Sequence, residues 1–208
     1  VCQKIKKFGS AIVLAGGKSS RMGFDKQFIS INERRLMDSI VSRLSRVFDD
    51  IVIVSNTPKI YMGISYNVVT DSIRGKGPLG GIHAGLKAAK YKYCYLMACD
   101  MPNINFDYID YMKNSIKLEV ESGVDIKACV TRQNIWVEPF NAFYSKDMIS
   151  DIEDHLKGSR MSVLSLLEKL DTLYVEEESA RRFSPCWDMF FNMNTKHDID
   201  LYMESIGE

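Results

Sequence analysis

Short apolar, β-branched runs recur along the chain at 11–15 (AIVLA), 51–55 (IVIVS), 66–70 (YNVVT), 95–99 (YLMAC) and 139–144 (PFNAFY). Between them apolar residues return at helical spacing: Leu36, Ile40, Leu44 and Val47 share one helical face, as do Ile82, Leu86 and Ala89 behind Pro78. Phe106, Ile109, Ile116 and Val120 repeat the pattern, and Val163, Leu166, Leu167 and Leu170 form a further amphipathic segment. Thr195, followed three residues on by Asp198, has the form of a capping box ahead of Ile199, Tyr202 and Ile206. Strands alternating with helices predict an α/β fold, a Rossmann-like three-layer sandwich with a mostly parallel central sheet covered on both faces. No internal repeat or proline-rich linker interrupts the 208 residues, and Gly158-Ser159 reads as a local turn, so the expectation is one domain over 1–208.

Charge narrows the function. Lys+Arg and Asp+Glu are 27 each, which leaves no net field to hold a nucleic-acid backbone. Any phosphate chemistry must then arise locally, from backbone amides and a few cations. No apolar run approaches the ~18 residues of a membrane-spanning helix, and the opening VCQKIKKFGS lacks the apolar centre of a signal peptide, so a soluble cytoplasmic protein with no membrane partner is expected. The five cysteines show no metal-type pairing and read as reduced core thiols; His83, His155 and His197 lack zinc spacing. His83 reads as a packed, hydrogen-bonded side chain.

The most informative segment is LAGGKSSRMGFDK, Leu14–Lys26, directly behind the first predicted strand. In a doubly wound fold ligands bind beyond the carboxyl ends of the strands, so this loop falls at the ligand edge. Gly16 and Gly17 have no Cβ and let amides approach a phosphate or a base, while Arg21 and Lys26 add a guanidinium fork and a point charge. Together they make a phosphate cradle whose spacing is neither GxGxxG nor GxxxxGK[ST]. Asp100 follows YLMAC at the same edge and is a candidate Mg²⁺ ligand, with a helix cap or turn as the plain alternative. Asp71 ends another run there. In GKGPLGGIHAGL, Pro78 suits a first helical turn, and Gly77, Gly80 and Gly81 allow either a ligand or the sheet to come close. No Ser/His/Asp or Cys/His constellation is present for covalent catalysis.

LAGGKSSRMGFDK resembles the signature of the molybdenum cofactor guanylyltransferases, the MobA family within the nucleotidyltransferase superfamily. Three further blocks agree in order: DSIRGKGPLGGIHAGL resembles an aspartate followed by a GPLAGIHAGL-like element, CYLMACDMP an apolar strand ending in aspartate, and FFNMNTKHDI an FxNxNTPEDL block. The likeness runs from about Ala11 to about Tyr202. Gly80 departs from the usual alanine and Lys196 from the usual proline.

The resemblance implies a Mg²⁺-dependent enzyme that joins GMP from GTP to molybdopterin-bound molybdenum and releases pyrophosphate. It assigns catalysis to Arg21, Lys26 and Asp100, with Asp100 on the metal, and nucleotide binding to Leu14, Ala15, Gly16, Gly17, Lys26, Asn56, Asp71, Gly77, Pro78, Leu79 and Asp100. Arg160, Asn192 and Asn194 fall on the acceptor side, with a turn and helix cap as their plain alternative. Proteins of molybdenum cofactor biosynthesis or molybdoenzyme maturation are the implied protein partners. LAGG, where cytidylyl and uridylyl relatives usually read LAAG, favours the larger guanine through Gly17. A cytidylyltransferase, a sugar-phosphate nucleotidylyltransferase and a non-catalytic nucleotide binder stay open, the last disfavoured by the joint presence of Arg21, Lys26 and Asp100.

Overall fold

The computed structural model of the chain describes residues 8–15, 26–63, 66–71, 73, 75–158 and 162–205, and no side chains of 26–33 or 196. Seven strands form one sheet: β1 (Ser10–Ala15), β2 (Asp50–Ser55), β3 (Asn67–Val69), β4 (Tyr93–Ala98), β5 (Ala128–Gln133), β6 (Trp136–Ser145) and β7 (Thr172–Glu176), in the order β3-β2-β1-β4-β6-β5-β7. All pairs are parallel except those of β6, which runs against both β4 and β5. The helices are α1 (Lys26–Leu44), α2 (Pro78–Ala88), α3 (Phe106–Glu121), α4 (Ile149–His155), α5 (Val163–Leu167), α6 (Glu177–Arg181) and α7 (Lys196–Ser205). Among the described residues no helix is long and apolar enough to cross a membrane.

The five predicted runs are all strands, and β1, β2 and β4 are buried along their whole length apart from the half-buried Leu14. Strand alternation then sorts the helices. Ile12 and Leu14 point at α2, where Gly85 and Gly81 let helix and sheet approach closely. A glycine inside a helix costs about 1 kcal/mol relative to alanine, so the glycines of α2 are tolerated because this approach requires them. On the opposite face Tyr95 of β4 stacks on Phe48, and Tyr108 of α3 shares a 2.6 Å hydrogen bond with Thr131 of β5. Helices thus cover both faces.

Several local expectations need amendment. The apolar pattern through Leu170 overshoots, because α5 stops at Leu167, whose carbonyl accepts a 2.8 Å hydrogen bond from the Thr172 hydroxyl as the chain turns into β7. Cys94 and Cys129 are core thiols, and burial pushes Cys94 up to about 12, but Cys99 is only half-buried and Cys186 is exposed in the turn beyond α6. Strands confine the first two; loops hold the others. The capping box exists: the Thr195 hydroxyl accepts from the Asp198 amide at 3.2 Å, and the Asp198 carboxylate accepts from the Thr195 amide at 2.8 Å.

Candidate functional site

The strand order places a topological switch point between β1 and β4. From β1 the chain winds outward through β2 and β3, then returns to lay β4 on the other side of β1. Such a crevice, outside the carboxyl ends of the two strands, is where open α/β sheets bind ligands. Leu14 and Ala15 end one wall, and Cys99 and Asp100 end the other, joined by a 3.0 Å hydrogen bond from the Cys99 amide to the Leu14 carbonyl. The parallel strands also bring Asn56, exposed just past β2, and Asp71, buried just past β3, to the same edge.

Asp100 is exposed, yet the protein mass around it desolvates the carboxyl and pushes it above the usual carboxylate range, opposed by its own backbone amide. A half-buried staple supports its loop. The Arg43 guanidinium, near the end of α1, donates to the carbonyls of Pro102 at 3.1 Å and Ile104 at 3.2 Å and to the Tyr202 hydroxyl at 2.7 Å. Tyr202, on α7, also donates to the Pro102 carbonyl at 3.2 Å. Sequence reading missed Arg43, because its partners lie 59 to 159 residues away and nothing local marks it.

The block at 190–195 comes to the same crevice. The Met193 amide donates to the Asp100 carbonyl at 2.8 Å, which sets Asn192 and Asn194 on either side of that anchor. Both asparagines are exposed. The Asn194 amide nitrogen of the side chain reaches the Asn192 carbonyl at 3.3 Å, and its backbone amide bonds the Asp198 carboxylate at 2.9 Å. The structural task of this segment therefore falls on backbone groups, Thr195 and Asp198, leaving the Asn192 side chain toward solvent.

At the start of α2, Gly77 has φ 60° and ψ −149°, a conformation that only glycine adopts without strain. Pro78 follows in the first turn, and Gly77 offers no capping side chain. Leu79 is buried in the core, so only its backbone can face a ligand. Asp71 lies against this turn, its Oδ1 accepting from the Ile73 amide at 2.8 Å. His83, deeper in α2, is 3 % exposed and pairs through Nε2 with Glu153 Oε1 at 2.8 Å, the packed role expected for it. Gly16, Gly17, Arg21 and Arg160 lie outside the described residues, and Lys26 is described only as the first residue of α1.

Among the described residues no three His, Cys, Asp or Glu side chains gather as a metal cage. Asp100 alone, a hard-oxygen donor open to solvent, suits Mg²⁺, which commonly takes one or two protein carboxylates and completes its shell with phosphate and water. Glu138 on β6 is a further perturbed carboxylate, raised to about 7 by burial.

The chain and its fold have counterparts among known proteins. The profile of the MobA-like NTP transferase domain matches residues 11–173. A probable molybdenum cofactor guanylyltransferase of Peptoclostridium acidaminophilum is 52% identical, covering 100% of this chain and 96% of the relative. A molybdenum cofactor guanylyltransferase of Syntrophotalea carbinolica is 51% identical over 93% of this chain and 90% of its own length. In fold, the crystal structure of molybdopterin-guanine dinucleotide biosynthesis protein A from Archaeoglobus fulgidus superimposes with a TM-score of 0.73 at 24% identity, covering 95% of this chain and 98% of that one. The 4-diphosphocytidyl-2C-methyl-D-erythritolsynthase of Anaerococcus prevotii shares the fold at a TM-score of 0.59 and 17% identity, over 97% of this chain and 99% of that one. With its switch-point crevice and a family match over most of its length, the chain belongs to the family of MobA-like NTP transferase domains.

Proposed function

We propose that this chain is a molybdenum cofactor guanylyltransferase, which joins the GMP part of GTP to the phosphate of molybdopterin-bound molybdenum. The observation that carries the reading is the bond between the Met193 amide and the Asp100 carbonyl. It sets the block bearing Asn192 and Asn194 against the aspartate that closes the nucleotide crevice, so two substrates can meet across one residue. A protein that only bound nucleotide would have no use for that second wall.

An oxygen of the acceptor phosphate, already largely ionised at neutral pH, attacks the α-phosphorus of GTP and needs no general base. The new phosphorus–oxygen bond forms as the bond from the α-phosphorus to the bridging oxygen breaks, and pyrophosphate leaves with the electron pair. The chain's contribution is alignment and charge. Gly16 and Gly17 supply close amides to the phosphates, and Arg21 and Lys26 hold the departing pyrophosphate. Asp71, Asn56 and the α2 turn at Gly77–Leu79 border the nucleoside. Arg160, Asn192 and Asn194 hold the pterin side. Asp100 would hold Mg²⁺, which when bound neutralises triphosphate charge. Gly17 leaves room for a purine. The reaction is assigned to the cytoplasm, with proteins of molybdenum cofactor biosynthesis or molybdoenzyme maturation as partners.

The test is pyrophosphate release with molybdopterin-bound molybdenum across the four nucleoside triphosphates, paired with calorimetric titration of GTP and CTP in the presence of Mg²⁺. GTP is expected to bind tighter and to turn over. Equal or tighter CTP binding with CMP transfer would replace the guanylyl assignment by a cytidylyl one, and nucleotide binding without pyrophosphate release would leave a binding protein.

A further inference from the structure

Glu138 brings a further carboxylate to the ligand edge of the sheet. β6 runs against β4, so its first residues lie beyond the carboxyl end of β4: Leu96 faces Ala142, and past that pair the chain runs on to Asp100 from one strand and back to Glu138 on the other. Ladder pairing with β4 stops at Ala142, and β6 bulges against β5 between Cys129 and Thr131, where Glu138 comes to face Thr131. Bulges re-aim side chains and recur beside active sites. Asn141 sits in this bulge at φ 50°, and its side-chain amide donates to the Met189 carbonyl, in the segment that goes on to dock Met193 on Asp100. The neighbouring Thr131 hydroxyl is already committed to Tyr108 at 2.6 Å. Glu138 is half-buried, and among the described residues no hydrogen bond or ion pair engages its side chain. Burial raises it to about 7, with no donor to offset the desolvation.

A carboxylate without a partner at a binding edge repels phosphate and calls for N–H donors, best a parallel pair that meets both of its oxygens. A 2-amino-4-oxopyrimidine ring offers that pair, its exocyclic amine beside a ring N–H, and guanine and pterin both contain one. Position separates the two. Asn56, Asp71 and the α2 turn lie on the β2 and β3 side of β1, whereas β6 flanks β4 on the side away from β1, tied to the 188–193 segment. We propose that Glu138 is a specificity-determining residue for the acceptor: its two carboxylate oxygens accept the paired N–H donors of the pterin ring and orient it in the crevice. The assignment rests on the reading of the Asn192 and Asn194 wall as the acceptor side. A glutamine has the same shape but presents one acceptor and one donor, so it mismatches pterin and matches lumazine, the analogue with a 2-oxo group beside the ring N–H.

The experiment compares the full chain with Glu138→Gln by the KM for molybdopterin-bound molybdenum against kcat, inhibition of transfer by pterin and by lumazine, calorimetric titration of GTP and of xanthosine triphosphate with Mg²⁺, and thermal melting. The parent is expected to favour pterin over lumazine. In Glu138→Gln the acceptor KM should rise roughly tenfold, the scale of one hydrogen bond to a charged group, with kcat near the parent, and the preference should pass to lumazine. GTP affinity should hold, and melting should stay at or above the parent temperature, since a desolvated carboxylate without a partner is removed. A merely structural glutamate would not exchange one analogue for the other. If transfer proceeds but the parent does not distinguish pterin from lumazine, or the variant loses both alike or neither, the role of Glu138 is overturned and the acceptor wall survives. If the preference between GTP and xanthosine triphosphate exchanges while that between the pteridines does not, the carboxylate reads guanine and the pterin assignment is overturned. If the parent transfers no GMP to the acceptor, the reading of that wall falls, and the role of Glu138 with it.

Discussion

Two aspartates, Asp50 and Asp100, sit at opposite edges of the same sheet and are put to opposite uses. Asp50 opens β2 and is 4 % exposed, and its Oδ2 accepts from the Ser10 hydroxyl and, at 2.8 Å, from the Lys90 amide. The Ser10 oxygen in turn accepts from the Tyr91 amide at 3.1 Å. The carboxylate's bonding capacity is taken up by the chain itself, and the group knots the starts of β1 and β2 to the turn ahead of β4. Asp100 follows the end of β4, is exposed, and is pushed up by desolvation, with no side chain among the described residues paired to it. A carboxylate consumed by its own chain is structural; one held at a strand's carboxyl end with its oxygens free is available to a cation or a substrate.

The sharpest way to break this contrast is at Asp100. Asp100→Asn keeps nearly the same size but is a poorer Mg²⁺ ligand, and turnover should fall on the order of a hundredfold, the scale of one electrostatic contact worth ~3 kcal/mol. Melting should change by no more than a degree or two. Pyrophosphate release and thermal melts on the same preparation decide it, and full activity at saturating Mg²⁺ would place the metal elsewhere.

Asp50→Ala should do the reverse. It strands the Ser10 hydroxyl and the Lys90 amide, at a cost of about 2 kcal/mol in stability, yet GTP affinity and turnover per folded molecule should hold. Denaturant unfolding and steady-state kinetics measure the two quantities, and a selective loss of turnover in this variant would erase the distinction between the edges.

The smallest expected effect separates the two walls of the crevice. Asn192→Ala and Asn194→Ala should each raise the KM for the pterin acceptor by roughly tenfold, about 1.4 kcal/mol, while GTP titrations stay near the parent. Backbone groups, Thr195 and Asp198 already order this segment, so little stability should be lost. If both variants melt several degrees lower and lose GTP and acceptor together, the asparagines are structural.

Much of this was legible in the chain. The central parallel strands announced themselves because β1, β2 and β4 are buried on both faces and must be apolar throughout. β5 and β7 did not. ACVTRQ mixes core positions with half-buried Arg132 and Gln133, and TLYVE is five residues with one fully buried, so neither makes a run that stands out. The irregular pairing of β5 with β6 was equally silent: the register shifts between Cys129 and Thr131, near Asn141 at φ 50°. That asparagine is kept there by distant partners, the Tyr95 hydroxyl at 3.1 Å and the Met189 carbonyl.

The sequence by itself determined which segments of the N-terminal half are strands and helices, where α7 begins, and that Asp71 and Asp100 lie just past strands, because these follow from local periodicity and from hydrogen bonds reaching only three or four residues. Tertiary structure alone decided that β4 crosses to the far side of β1, that Arg43 and Tyr202 brace the Asp100 loop, that Met193 docks on Asp100, and that Asp71 rests on Gly80. Each of those contacts joins residues with no local pattern in common. They form only when burial of the sheet brings distant segments within a few ångströms, where hydrogen bonding and steric fit first have something to act on.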